Sequence, residues 1–134
     1  MEKVLQVTGS LRVGGLEKTT VNYYKNINRD KYEFIYVVYG NKVEPLELTV
    51  KNLGGTVIHI DEPRSGYSKY YNNLTRVMKD YGPFDIVHSH SLFTSGFVMT
   101  AAYKMGISKR IIHSHTDRSS LKIIPIKKIF NSFM

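Results

Sequence analysis

The feature that most constrains this chain is an alternation: short apolar, β-branched runs take turns with helical periodicity along almost its whole length. Val4-Leu5-Gln6-Val7-Thr8 leads through Gly9-Ser10 and a loop to Gly14-Gly15, and then into Leu16 to Tyr24. Strand, glycine loop and helix follow in that order. Phe34 to Tyr39 is aromatic and β-branched with no polar alternation, as expected of a strand covered on both faces of a parallel sheet. Pro45 to Leu53 carries Leu46, Val50 and Leu53 at helical spacing, and Gly54-Gly55 supply a helix stop before the strand-like Thr56 to Ile60. Ser68 to Tyr81 places Tyr70, Tyr71, Leu74, Val77, Met78 and Tyr81 on one helical stripe, closed by Gly82-Pro83. Asp85 to His90 reads as a fourth strand, Phe97 to Met105 as a helix, and Arg110 to His115 as a fifth strand. Such a chain predicts an α/β fold: a doubly wound, Rossmann-like parallel sheet with helices on both faces, whose ligand crevice lies at the carboxyl ends of the strands.

Length and composition narrow the class further. The 134 residues, 42% of them hydrophobic, suit one compact domain. With no cysteine, disulfide frameworks and thiolate metal or redox chemistry are excluded, and a reducing cytoplasm is the default expectation. No apolar run approaches the roughly 18–20 residues that span a bilayer, and Met1-Glu2-Lys3 runs into a strand-like segment instead of a signal-peptide core. Nineteen Lys and Arg against eleven Asp and Glu give a formal charge of +8, which attracts polyanions. The basic residues are scattered singly until Lys122, Lys127 and Lys128, and no RNP-like or zinc-finger motif accompanies them, so nucleic acid is not the expected partner. Pro125 begins a last helical pattern with Ile126, Ile129, Phe130 and Phe133 on one face, and the sequence stops at Met134 without a cap; we read residues 1–134 as one domain cut in its last helix.

The loop from Gly9 to Gly15 sits where backbone N–H groups and the positive end of a helix dipole meet an anion. It lacks the nicotinamide fingerprint: its glycines are spaced differently, and Tyr39-Gly40-Asn41 offers no acidic residue at the end of the second strand. Gly15-Leu16 stands where a P-loop needs Lys and Ser or Thr. An anion site and a merely tight strand-to-helix turn, with Glu17 in the helix's first turn, both remain open.

Two His-x-His pairs end the fourth and fifth strands, His88 with His90 and His113 with His115, so each pair projects from one strand face. Three chemistries are open to them: a histidine-rich metal site with Asp61 or Asp117 as a carboxylate ligand, acid/base or electrostatic work on a phosphorylated substrate, or hydrogen bonds that finish buried strands. A metal-dependent hydrolase is one alternative function, and a noncatalytic sugar- or nucleotide-binding module another.

Taken together, Val4 to Val7, the loop Gly14-Gly15-Leu16-Glu17, Asp85-Ile86-Val87-His88-Ser89-His90 and Ile111-Ile112-His113-Ser114-His115-Thr116 resemble the N-terminal domain of family 4 glycosyltransferases. The likeness covers nearly the whole chain and is strongest to the bacterial members that build capsular and extracellular polysaccharide. It implies a GT-B enzyme, two Rossmann-like domains facing across a cleft, that transfers a sugar from a nucleotide-sugar donor to a glycan or lipid-linked acceptor, hexosyltransferase-like and without a cofactor or essential metal. By that resemblance Gly14 and Gly15 approach the donor diphosphate with their backbone amides, Glu17 supports the loop, and His115 works near the donor sugar as the catalytic residue. His88, His90 and Thr116 line the acceptor side, and His113 is the histidine expected to be structural.

The same resemblance places the donor-binding machinery in a C-terminal domain that these residues do not include, so the chain alone is expected to be catalytically incomplete. Tyr67, Tyr70 and Tyr71 are expected to line a face left open toward that partner domain. A cytoplasmic enzyme, peripheral at the inner membrane face through its positive charge and the Lys127-Lys128 segment, completes the expectation.

Overall fold

The computed structural model describes residues 1–90 and 94–113. Among them run five strands, β1 (Glu2–Gly9), β2 (Tyr32–Tyr39), β3 (Thr56–Ile60), β4 (Ile86–Ser89) and β5 (Lys109–Ile112), and four α-helices, α1 (Gly15–Asn26), α2 (Pro45–Asn52), α3 (Tyr67–Asp80) and α4 (Ser95–Lys104). The strands form one parallel sheet in the order β3-β2-β1-β4-β5. The chain therefore builds outward from β1 to β3, crosses back, and builds outward again from β4. Between β1 and β4 the winding reverses, which is where ligands bind in open sheets of this kind.

Side-chain alternation divides the core into two layers. Val4, Phe34, Tyr36 and Val38 face α1 and α2, where they pack with Val21, Tyr24 and Val50. Leu5, Val7, Ile35, Val37 and Val87 face α3 and α4, where they meet Tyr70, Leu74, Val77, Val98 and Ala102. Because the central strands are covered twice, Phe34 to Val38 are buried without a break, which is why this run shows no polar alternation.

Two expectations are corrected. Tyr81 does not belong to the buried stripe of α3: the helix ends at Asp80, and Tyr81, just past it, is 42% exposed. Nor does Tyr70 line an open face, since it is buried in the core with its hydroxyl 2.6 Å from that of Tyr39. Tyr67 is exposed and stacks on Phe97, and Tyr71 packs partly against the same core. Burial pushes the Tyr70 hydroxyl well above the ordinary tyrosine range, so it remains a neutral hydrogen-bonding group.

Candidate functional site at the carboxyl edge of the sheet

The first part of the site is the loop after β1. Gly9 ends the strand at φ 79°, and a side chain there would also drive into the Tyr39 ring 2.8 Å away, so two separate constraints demand glycine. Beyond it, Glu17 in the first turn of α1 is 8% exposed and turns its carboxylate back onto the loop. It accepts a hydrogen bond from Ser10 Oγ at 3.4 Å and pairs with Arg12 Nε at 3.6 Å, while Ser10 Oγ in turn accepts the Arg12 backbone N–H. One carboxylate thus ties loop and helix together. Gly14 and Gly15 differ sharply in their surroundings. A Cβ on Gly14 would lie 2.6 Å from Glu17 Oε1, whereas a Cβ on Gly15 would meet nothing within 4 Å. The helix start, with no side chain capping it, presents its N–H groups toward that open space.

The second part comes from β4 and β5. Gln6 pairs in register with His88, and His88 with Ile111, so these side chains stand on the face that α1 covers. The ladder continues past the strands: the His90 N–H donates to the Val7 carbonyl and the His113 N–H to that of Ser89. His90 and His113 therefore keep strand alternation and fall on the same face as His88.

The three rings gather into one cluster. His88 Nε2 lies 3.3 Å from His113 Nδ1, and the His88 and His90 ring centroids are 3.9 Å apart. His90 is buried and donates from Nε2 to Gln6 Oε1 at 2.6 Å, while His88 is half-buried and His113 exposed. One nitrogen from each ring lies within 4.8 Å of one from each of the others. Asp61, a suggested metal ligand, instead faces Lys69 at 2.8 Å. Asp117, His115 and Thr116 lie outside the described residues.

From the cluster a groove of about 430 Å³ runs back toward the amino ends of the strands, floored by Val4, Phe34, Ile86 and Ile111 and walled by Tyr23 of α1 and by Ile27 just past its end. It is apolar along its length and polar at the histidine end. Gln6 was not singled out in the sequence, although a signal existed: it is the one amide side chain inside an apolar strand run, and a buried amide must find a partner.

Comparison with known proteins places this geometry. The profile of Glycosyltransferase Family 4 matches residues 13–132. EpsF of Bacillus subtilis, named as a glycosyltransferase, is 31% identical over 117 residues, covering 85% of this chain and 30% of its own length. The capsular polysaccharide biosynthesis glycosyltransferase CapH of Staphylococcus aureus is 27% identical, covering 90% of this chain and 32% of its own. The chain thus spans about a third of the length of these relatives. Among solved structures, a glycosyltransferase from Rickettsia africae superposes with a TM-score of 0.67 at 21% identity over 98% of this chain and 34% of its own. The lipopolysaccharide outer core galactosyltransferase WaaB follows at 0.66 and 15%, over 91% of this chain and 35% of its own. A yeast short-chain dehydrogenase/reductase matches almost as well, at 0.62 and 15%, so the architecture by itself selects no chemistry. The selection comes from the sequence likeness, which runs from the glycine loop through both histidine strands: the chain belongs to Glycosyltransferase Family 4.

Proposed function

We propose that this chain is the acceptor-side half of an enzyme that transfers a sugar from a nucleotide-sugar donor to a glycan or lipid-linked acceptor in polysaccharide biosynthesis. The observation that carries the reading is the pairing, at one sheet edge, of an open glycine loop at a helix start with a histidine cluster one strand away. The capsular polysaccharide role named for CapH supports the pathway class.

In such a transfer, negative charge develops on the leaving diphosphate as the donor's glycosidic bond breaks. Backbone N–H groups already held in place stabilise that charge without reorganising. The open space beside Gly15 leaves room for a diphosphate to reach the first N–H groups of α1, and Glu17 holds the loop rigid around them. His88 and His90 line the acceptor side, where neutral imidazoles accept or donate hydrogen bonds to sugar hydroxyls. His115 near the donor sugar and Thr116 beside the acceptor complete the assignment by family likeness. No cofactor takes part in this scheme.

We assign the remaining charge-stabilising groups to a second domain and hold that the chain alone does not turn over, a proposal that the greater length of the relatives supports. The test is sugar transfer by this chain alone and by a fusion carrying the C-terminal domain of EpsF. Activity confined to the fusion is the expected result, and equal activity in both overturns the reading. We place the enzyme in the cytoplasm, peripheral to an anionic inner membrane face, on the strength of its charge of +8.

A further inference from the structure

The histidine cluster has a geometry that hydrogen bonding to sugars does not require. A tetrahedral ion held by imidazole nitrogens at about 2.0–2.1 Å sets those nitrogens roughly 3.3–3.4 Å apart. His88 Nε2 and His113 Nδ1 stand at 3.3 Å. His90 offers a nitrogen to the same set of ligand atoms, all of which lie within 4.8 Å of one another. His90 is also prepared electronically: by donating from Nε2 to Gln6 Oε1 it carries its lone pair on Nδ1. A second ring nitrogen bonded to a carbonyl oxygen is the usual support of a metal-bound histidine, fixing both tautomer and orientation.

We propose that His88, His90 and His113 form a zinc site, with Gln6 as the residue that positions His90. An ion would replace the hydrogen bond between His88 and His113, each neutral imidazole keeping its one N–H on the ring nitrogen that faces away from the ion. Three neutral imidazoles with no carboxylate among the described members of the cluster select a borderline ion over hard cations such as Mg2+ or Ca2+, which require oxygen ligands. All three histidines line the groove, so water or a ligand oxygen that enters it would supply the fourth ligand of a tetrahedral ion. The site shares His88 and His90 with the proposed acceptor side, but zinc stoichiometry is read on this chain alone and sugar transfer on the fusion, so failure of one reading is distinguishable from failure of the other.

The experiment is titration of the whole chain with ZnCl2 by calorimetry, with metal content measured after dialysis and Co2+ absorption as the readout of coordination. The expected result is one equivalent of zinc in the presence of excess Mg2+, and intense visible bands from tetrahedral Co2+. His113→Ala, at an exposed position that the fold does not depend on, loses the bound equivalent. Gln6→Leu weakens it by about 10–100-fold, the usual effect of removing an outer-sphere partner. His59→Ala, in a histidine of β3 bonded to Glu47 and the Gly40 carbonyl, leaves it unchanged. No stoichiometric zinc in the unaltered chain, or an equivalent that survives both His88→Ala and His113→Ala, overturns the proposal.

Discussion

Glu47 shows how much a single side chain depends on a distant strand. It is 1% exposed, yet it is charged, because Lys51 Nζ on the next helical turn and His59 Nε2 from β3 each approach to 2.9 Å. Burial alone would raise its pKa, but the hydrogen bonds from Lys51 and His59 outweigh that and hold it below its ordinary value of 4.5. The sign follows: this contribution to stability is fully present above pH 4.5 and is lost as pH falls through the depressed folded value. Glu47→Ala should therefore lower the unfolding free energy by about 2 kcal/mol near neutrality and flatten the acid limb of a chemical-denaturation pH series. An unchanged midpoint at pH 7 would contradict the assigned pairing. None of this was legible in Leu46-Glu47-Leu48, where a glutamate between leucines reads as solvent-facing; the deciding partner, His59, arrives only when β3 packs beside α2. Gly15 is the opposite case, a residue whose meaning is local. Its Cβ space is open and its conformation helical, so Gly15→Ala should leave folding unchanged or more stable by up to about 1 kcal/mol. In the fusion with a C-terminal domain, the same methyl group should weaken donor nucleotide-sugar binding by roughly 10–100-fold, the cost of one lost charge-assisted hydrogen bond. Equal affinity in a calorimetric titration would remove Gly15 from the donor site.

At the scale of elements, the periodicities located all five strands and all four α-helices of the described residues, while the short 3₁₀ turn Pro63–Ser65 has no periodicity to reveal it. The α3 stripe extended in sequence to Tyr81 because spacing cannot sense that the helix stops at Asp80. Tyr70 fits the apolar stripe of α3 and, with Tyr67 and Tyr71, the face expected to open toward a partner domain; the core takes it because the Tyr39 hydroxyl at 2.6 Å gives it a polar partner there. The histidine strands were legible in their alternation and in the convergence of their ends on one crevice, but not in the β4–β5 register and the reach of Gln6 from β1 that set how His88, His90 and His113 meet. The layered core makes a clear contrast between leucines on neighbouring helices. Leu74 of α3 is fully buried against the sheet, so Leu74→Ala should cost roughly 2–5 kcal/mol through lost burial and the cavity it leaves. Leu48 of α2 is 58% exposed, and Leu48→Ala should stay within about 0.5 kcal/mol. Thermal or urea denaturation of the pair measures the difference directly, and similar midpoints would mean that α3 does not pack as described.

For the whole molecule, the strand order leaves two faces unequally dressed: α3 and α4 cover one, while α1 and α2 cover only the β1–β3 half of the other among the described residues, and the groove beside β4 and β5 occupies the remainder. Charge is the other property that belongs to the molecule as a unit. An excess of eight positive charges creates an attractive potential toward an anionic bilayer, each Lys or Arg close to the surface adding about 1 kcal/mol, and that attraction decays over a Debye length of about 8 Å at physiological salt. No helix among the described residues is long and apolar enough to cross a membrane. The contact proposed here rests on charge and is therefore expected to be salt-sensitive. The chain should sediment with vesicles containing acidic phospholipid at low ionic strength, release as salt rises, and ignore neutral vesicles. Replacing Lys127 and Lys128 together with glutamate lowers the net charge by four and should reduce the bound fraction more than the same change at Lys18 and Lys25, two exposed positions on α1. Equal reductions would assign the attraction to net charge alone, and sedimentation without preference for acidic lipid would remove the membrane from the proposal.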